Sequence, residues 1–159
     1  MVDADEFLTV QTGAGTVNAL LDAVPSESDA ISLSWRCFGA NGQYIFACDH
    51  VTERFTRTAP PVANKIQSGV KSLCRNRLPV DVMSPHRPRL QPTGLDKVLW
   101  VNGSGAPVPE SFKLSGWRIG GTAYDLGQIN HYATRDAETF LRKSWKGRAS
   151  NNTTPRLKC

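Results

Sequence analysis

Three acidic residues stand close together near the start of the chain, in the sequence Met1-Val2-Asp3-Ala4-Asp5-Glu6-Phe7-Leu8. Because one residue separates the two aspartates, a turn leaving an extended strand would point both carboxylates toward one small volume. Negatively charged oxygen ligands suit Mg²⁺ or Mn²⁺ that carries a diphosphate. The alternative is a solvated acidic terminus, since chain ends are usually mobile. On these residues alone the terminus is the simpler interpretation, so the prediction depends on other motifs.

Two further groups carry side chains that suit sugar chemistry. Trp35 and Gly39 stand in Trp-Arg-Cys-Phe-Gly, where a ring can stack on a sugar and a glycine turn lets a ligand approach the backbone. Glu53 stands in Val-Thr-Glu-Arg-Phe, and a carboxylate at the start of a short helix can act as a general base. The alternatives are a core tryptophan in an ordinary hairpin and a solvated Glu-Arg pair.

The remaining two groups contain histidine. His86 and Arg87 lie between two prolines in Pro-His-Arg-Pro, a rigid basic segment that could hold phosphate. His131 follows Asn130 directly ahead of the last helix, which is a suitable position for a metal ligand. Each histidine could equally be structural. No single group decides between these interpretations.

The periodicity of apolar residues predicts the elements that would position these groups. A helix with Thr16 as its N-cap is predicted to end at Pro25, and alternation over Ala30–Phe38 predicts a half-buried strand. Further predicted elements are a returning strand at Gln43–Phe46, a loop or short helix around Val51–Phe55, strands at Val70–Arg75 and Lys97–Val101, and an irregular or extended stretch around Pro85–Pro88. Strands mixed with helices indicate an α/β arrangement of layers.

The final predicted helix is amphipathic and basic. Thr134 is predicted to cap it, and Ala137, Phe140, Leu141 and Trp145 form its apolar face. No acid follows Glu138, whereas six basic residues do: Arg142, Lys143, Lys146, Arg148, Arg156 and Lys158. This excess indicates a solvated helix face, or a patch that meets the phosphates of a nucleotide, a lipid-linked acceptor or a membrane surface.

The composition is that of a globular domain. The chain has 159 residues, 40% apolar and 21% charged, with a formal net charge of +5. The four cysteines, Cys37, Cys48, Cys74 and Cys159, are far apart and predict free thiols in a reducing compartment. The sequence contains no basic-aromatic motif that would indicate nucleic-acid binding. We predict a cytoplasmic protein.

Taken together, five motifs in this order resemble bacterial family-2-type glycosyltransferases, in particular the subgroup with a DUF23-like or family-92-like domain. The motifs are Asp3-Ala-Asp-Glu-Phe-Leu8, Trp35-Arg-Cys-Phe-Gly39, Thr52-Glu-Arg-Phe55, His86-Arg-Pro88, and Asn130-His-Tyr132 ahead of Glu138–Lys143. They cover residues 3 to about 148. The resemblance implies a GT-A fold, a Rossmann-like mixed sheet with flanking helices, that transfers a sugar from a nucleotide-sugar donor to a glycan or lipid-linked acceptor, with inversion.

The resemblance also implies roles for individual residues. Asp3 and Asp5 would be the D-x-D motif that holds Mn²⁺ or Mg²⁺ on the donor diphosphate, and His131 would be a further metal ligand. Glu53 would be the catalytic base. The substrate-binding residues would be Trp35, Gly39, His86 and Arg87.

The family has a nucleotide-binding portion before its D-x-D motif, and this sequence begins two residues before that motif. We therefore expect residues 1–148 to be a partial, N-terminally truncated domain and 149–159 to be a polar tail. We expect the chain alone to lack transferase activity and to expose a sheet edge prone to self-association. The alternative function is a non-catalytic remnant that binds a glycan or a partner.

Overall fold

A computed structural model of the chain describes residues 1–60 and 67–146. The predicted polar tail at 149–159 lies outside these residues. The described chain forms two compact units. The first unit contains residues 1–37, 60 and 67–131, and the second contains residues 38–59 and 132–146.

A five-stranded mixed sheet with two helices makes up most of the first unit. Its elements in chain order are β1 (Glu6–Val10), α1 (Val17–Asp22), β2 (Ala30–Cys37), β3 (Val70–Cys74), β4 (Val80–Met83), β5 (Pro88–Leu90), a 3-10 turn (Leu95–Lys97), β6 (Trp100–Asn102), α3 (Glu110–Leu114) and β7 (Gly127–His131). The sheet has the order β1-β7-β2-β3, and β6 also pairs with β2. The β1–β7 and β2–β3 pairs are antiparallel, whereas β2 is parallel to β7 and to β6. The predicted α/β class with a mixed sheet is confirmed.

Strand β2 is the centre of this unit and is buried on both faces. Ile31, Leu33 and Trp35 belong to one apolar cluster, which also contains Leu20 of α1. Ala30 belongs to a second cluster with Phe112 of α3. Because successive residues of a strand face opposite sides, the two clusters and their helices lie on opposite faces of the sheet.

The predicted half-buried character of β2 is therefore wrong. Ser32 and Ser34, expected on a solvated face, are fully buried. Ser32 Oγ accepts a hydrogen bond from Trp100 Nε1 at 2.9 Å and lies 2.7 Å from Ser72 Oγ. Hydrogen bonding of this kind lets a hydroxyl enter a core, because buried polar groups need partners.

Two local predictions in the first unit can be compared directly. The α1 prediction is confirmed, since Thr16 Oγ1 accepts from the backbone N–H of Ala19 at 3.2 Å and the helix ends before Pro25. The Pro-rich stretch forms the antiparallel β4–β5 hairpin, which the sequence did not predict. Its strands pair only with each other among the described residues, so Pro88 can begin β5 without interrupting a larger ladder.

The second unit consists of two helices and the loops that join them. They are α2 (Val51–Arg54) and α4 (Ala137–Lys146). Of the loop or short helix predicted around Val51–Phe55, the structure has the short helix. The strand predicted at Gln43–Phe46 is wrong. The backbone carbonyls of this segment instead accept hydrogen bonds from residues of the two helices. Tyr44 O accepts from the Glu138 N–H at 3.1 Å, and Ile45 O accepts from the Arg54 side chain at 2.8 Å.

The predicted cap of α4 is also corrected. Asp136, rather than Thr134, precedes the helix, and its Oδ1 accepts from the Thr139 N–H at 2.7 Å. Thr134 Oγ1 instead donates to the carbonyl of Phe38 at 3.4 Å. Asp and Thr both cap helices, and here the carboxylate is also placed to meet Arg54. Within residues 1–60 and 67–146, none of the helices has the length and apolar character needed to cross a bilayer.

Candidate functional site

The acidic turn lies at one end of the sheet, beside His131. It precedes β1, so the carboxylates enter a strand rather than leave one. Glu6, the first residue of β1, is opposite His131, the last residue of β7. His131 is also opposite Cys37 at the end of β2. Three strands therefore bring the turn, His131 and the end of β2 together.

A buried lysine joins the acidic turn to the sheet. Lys71 on β3 is 2% exposed. Its Nζ lies 3.0 Å from Glu6 Oε2 and 3.1 Å from Asp3 Oδ2, and it donates to the carbonyl of Pro85 at 2.9 Å. These three contacts use the three hydrogens of an ammonium group. Lys71 is thus a fixed counter-charge for two carboxylates.

Backbone hydrogen bonds close the turn itself. The Asp3 N–H donates to Glu6 Oε2 at 2.8 Å, and the Glu6 N–H donates to the carbonyl of Asp3 at 3.1 Å. Glu6 Oε1 is buried and has no hydrogen-bond partner among the described residues. Asp3, Asp5 and Glu6 carry three formal negative charges, and Lys71 pairs with two of them, so the turn keeps a negative formal charge. This charge favours a cation or the hydroxyl donors of a ligand.

Four aromatic rings lie beside the turn, and we call them the ring cluster: Trp35, His86, Trp117 and His131. The centroid of Trp35 is 4.3 Å from that of His131, 5.3 Å from that of His86 and 5.5 Å from that of Trp117. His86 stacks on Trp117 at 4.9 Å. The Nε1 of Trp35 is buried and has no hydrogen-bond partner within the described part of the chain.

The environment of His86 favours its neutral form. Burial and the charge of Lys71 lower the pKa of His86 below its ordinary 6.5, against the opposing effects of the Val70 carbonyl, Glu6 and Asp3. Its Nδ1 lies 3.3 Å from the carbonyl of Val70. A neutral imidazole can donate one hydrogen bond and accept another. Burial also raises the pKa of the Cys37 thiol to about 11, so this cysteine is a poor nucleophile at neutral pH.

Arg87, predicted to bind substrate, is buried and is occupied by backbone contacts. Its guanidinium donates to the carbonyls of Gly116, Pro88 and Lys113. It also lies over the ring of Phe112 at 5.3 Å. These contacts hold α3 and the preceding hairpin, and they support a structural role for Arg87.

Glu53 and Gly39 lie in the second unit. Glu53 is exposed on α2, and the Gly39 N–H donates to the carbonyl of Arg57 at 3.0 Å. Their roles as base and substrate-binding residue stay predictions. Asp5 is the last residue of the turn before β1 and is half-buried.

Two of the three predicted metal ligands, Asp3 and Asp5, lie in the acidic turn. Asp3 and Asp5 have the oxygen donors that Mg²⁺ and Mn²⁺ prefer. Nevertheless, the structure assembles no group of three or more His, Cys, Asp or Glu that could hold an ion within residues 1–60 and 67–146. The complete set of Asp3, Asp5 and His131 is therefore not formed by these side chains, and Asp3 is engaged by Lys71.

Sequence reasoning did not single out Trp117 or Gly69. It offered Lys71 only beside Arg75 and Arg87, as residues that could add positive charge near the phosphates. A lysine between Val70 and Leu73 in a short apolar strand was the available signal, since such positions rarely hold a charge. Gly69 is required because a Cβ there would lie 2.5 Å from the Trp35 ring and 2.7 Å from the Trp117 ring.

Replacing Gly69 with Ala is expected to lower the free energy of unfolding by about 1 to 3 kcal/mol, because the new methyl group must displace two packed rings. Urea denaturation would measure the loss, and near-ultraviolet circular dichroism would report the altered packing of Trp35 and Trp117. Gly120→Ala is the matched control, since its Cβ would meet nothing within 4 Å. Equal effects of the two substitutions would contradict the prediction.

In comparisons with known proteins, no family model, no curated protein and no solved structure matches the chain.

Proposed function

We propose that the chain is the catalytic and acceptor-binding part of a GT-A glycosyltransferase of the family-2 type, which transfers a sugar from a nucleotide-sugar donor to an acceptor hydroxyl with inversion. One observation carries the proposal. The acidic turn, Trp35 and His131 are far apart in sequence but lie on neighbouring strands at one end of the sheet. The resemblance requires these three motifs to share a site.

The chemistry of the turn and the ring cluster supports sugar binding. The Asp3 side chain is 56% exposed and can accept hydrogen bonds from sugar hydroxyls. His86, Trp117 and His131 are half-buried, so their rings keep exposed surface. Apolar ring edges beside a carboxylate match the alternating apolar and polar surface of a pyranose. Lys71 contributes by fixing the positions of Asp3 and Glu6.

We also propose that Mg²⁺ or Mn²⁺ is the cofactor, bound by Asp3 and Asp5. Such ions commonly use one or two protein carboxylates and complete their shell with phosphate and water, which would not require a third protein ligand. When bound, the ion would offset the negative charge on the leaving nucleoside diphosphate. We propose a cytoplasmic location, where nucleotide sugars would reach the site.

Release of nucleoside diphosphate tests the proposal. Protein expressed from the complete open reading frame would be incubated with a panel of nucleotide sugars, with Mn²⁺, and with simple glycan acceptors. We expect release with at least one donor and a fall in kcat of about 100-fold or more for Asp5→Asn, since loss of a transition-state charge contact has effects of this size.

Asp96→Asn is the control, because Asp96 is exposed and lies in the 3-10 turn. It should retain the full rate. Absence of release for every donor, or equal rates for Asp5→Asn and Asp96→Asn, would refute catalysis by this site. The alternative, a non-catalytic glycan-binding domain, predicts that a glycan binds without release and that Asp5→Asn leaves the rate at background.

A further inference from the structure

The apolar face of α4 is exposed in the second unit. Phe140 and Leu141 are half-exposed, and Trp145 is 71% exposed. At 100° per residue these three side chains, with Ala137 and Ser144, occupy one side of the helix. An amphipathic helix normally buries this side against a core. None of the described residues covers these three side chains fully.

A neighbouring loop extends the same apolar surface. Tyr44 and Ile45 are about three-quarters exposed, and Phe46 is half-exposed. A groove of about 400 Å³ lies between this loop and α4, with Tyr44 and Phe140 among its lining residues. We call Tyr44, Ile45, Phe46, Phe140, Leu141 and Trp145 the apolar face. Six large exposed apolar side chains in one small unit exceed the scattered exposure that is normal for a surface.

Hydrogen bonds hold the loop and the helix together. The Phe46 N–H donates to Glu138 Oε2 at 3.0 Å, and the Glu138 N–H donates to the carbonyl of Tyr44 at 3.1 Å. Arg54 donates to the carbonyl of Ile45 and also pairs with Asp136 at 3.2 Å. The apolar face is therefore fixed in shape before it meets any partner.

Basic residues outnumber the one acid on α4, since Arg142, Lys143 and Lys146 stand against Glu138, with which Arg142 pairs at 2.6 Å. Arg142 and Lys143 are exposed on the side of α4 opposite Ala137. The sequence adds Lys146 and three further basic residues after Glu138, without any acid. A helix with aromatic and aliphatic residues on one side and basic residues on the other has the composition of helices that lie in the interface of an anionic membrane.

We propose that the apolar face docks the protein on an anionic lipid surface, with α4 lying parallel to the membrane. Trp145 and Tyr44 would sit at the level of the headgroups, where amphipathic rings are favoured. The basic side chains would attract the negatively charged lipids. A second copy of the chain is a poorer occupant, because two copies of this face would bring like charges together.

Vesicle binding tests the proposal independently of glycosyl transfer. The full chain would be sedimented with two kinds of vesicle. One contains phosphatidylcholine alone, and the other also contains about 30 mol% phosphatidylglycerol, which gives it a clear negative surface charge. We expect binding to the anionic vesicles, weakened by salt, and at least tenfold weaker binding to the neutral ones. Fluorescence from Trp145 should shift to shorter wavelength on binding, and Trp145→Phe should bind while losing that shift.

Matched variants identify the surface. Ile45→Ser and Trp145→Ser are each expected to lower the partition coefficient about tenfold, and Lys143→Gln about fivefold. Leu114→Ser is the control, since Leu114 is 69% exposed on α3 in the first unit. All of these positions are exposed, and circular dichroism would verify that each variant folds.

Three results would overturn the proposal. They are an absence of binding to anionic vesicles, equal loss of binding in Leu114→Ser and Trp145→Ser, and a stable dimer in light scattering that Trp145→Ser dissociates. The last result would assign the apolar face to a second copy. Because no arm of this experiment contains a nucleotide sugar, its failure leaves the proposed transferase unaffected.

Discussion

Lys71→Met is expected to lower the free energy of unfolding by about 3 to 5 kcal/mol, one of the two largest effects that the structure predicts. Methionine matches the length of the aliphatic stem but lacks the ammonium group. Glu6 would then keep a fully buried carboxylate without its counter-charge. Urea denaturation followed by circular dichroism measures the loss.

Two controls separate the ion pair from the loss of a lysine. Lys97→Met changes an exposed lysine and should stay within about 0.5 kcal/mol of the original protein. The double variant Lys71→Met with Glu6→Gln removes both charges and should lose less than Lys71→Met alone, because the uncompensated charge is gone. A single variant as stable as Lys97→Met would show that the contact contributes little.

Asp136→Ala is expected to have a similar effect on the second unit, a loss of about 3 to 5 kcal/mol. The side chain of Asp136 is 1% exposed and pairs with Arg54, whose side chain is 9% exposed. The substitution also removes the cap of α4. Amide hydrogen exchange of α4 and of residues 43–47 would locate the loss in this unit.

Asp136→Asn separates the contribution of the helix cap from the contribution of the ion pair with Arg54. Asparagine can still accept from the Thr139 N–H, so it should retain about 1 kcal/mol that alanine loses, while the ion pair with Arg54 disappears. Asp96→Asn, at an exposed position, is the control. If Asp136→Asn proves as stable as Asp96→Asn, the ion pair does not stabilise the unit.

Substitution of Asp136 should also change how the free energy of unfolding depends on pH in the acid range. Burial alone raises the pKa of Asp136, but hydrogen bonds from Thr139 and the charge of Arg54 outweigh it and hold the pKa below the ordinary 3.8. The unfolded chain therefore takes up this proton first as the pH falls. The contribution is complete above 3.8 and is lost as the pH falls through the lower pKa of the folded state. Urea denaturation repeated at falling pH from about 5 should show a flatter dependence of the free energy of unfolding on pH for Asp136→Asn than for the original protein.

Local signals in the sequence predicted those parts of the fold that depend on neighbouring residues. Thr16 caps α1 because its hydroxyl needs a partner only three residues away. The alternation over Ala30–Phe38 predicted β2, but it could not show that a second cluster covers Ser32. Gln43–Phe46 has the composition of a strand, yet Arg54 donates to the carbonyl of Ile45 and the Phe46 N–H donates to Glu138. These side chains take the backbone groups that a neighbouring strand would otherwise bind, and the pattern of apolar residues in the sequence does not reveal this.

The sequence predicted which residues belong to the site, but not which contacts those residues make. The acidic turn, Trp35, His86 and His131 were recognised as motifs, and the sheet brings them together. Lys71 could not be ranked because its partner Asp3 is 68 residues away. Arg87 looked like a phosphate ligand from its neighbours, whereas its donors bind carbonyls of Gly116 and Lys113 farther along the chain.

The pairing of β1 with β7 has a consequence for synthesis. β1 pairs with β7 alone among the described strands, and Glu6 meets its partner only when His131 has left the ribosome. At ordinary translation speeds the first strand would wait roughly 6 to 25 s for that partner. During this interval its edge is open to other nascent chains, so we expect overexpression to yield aggregates that a lower expression level would reduce, because fewer nascent chains then meet.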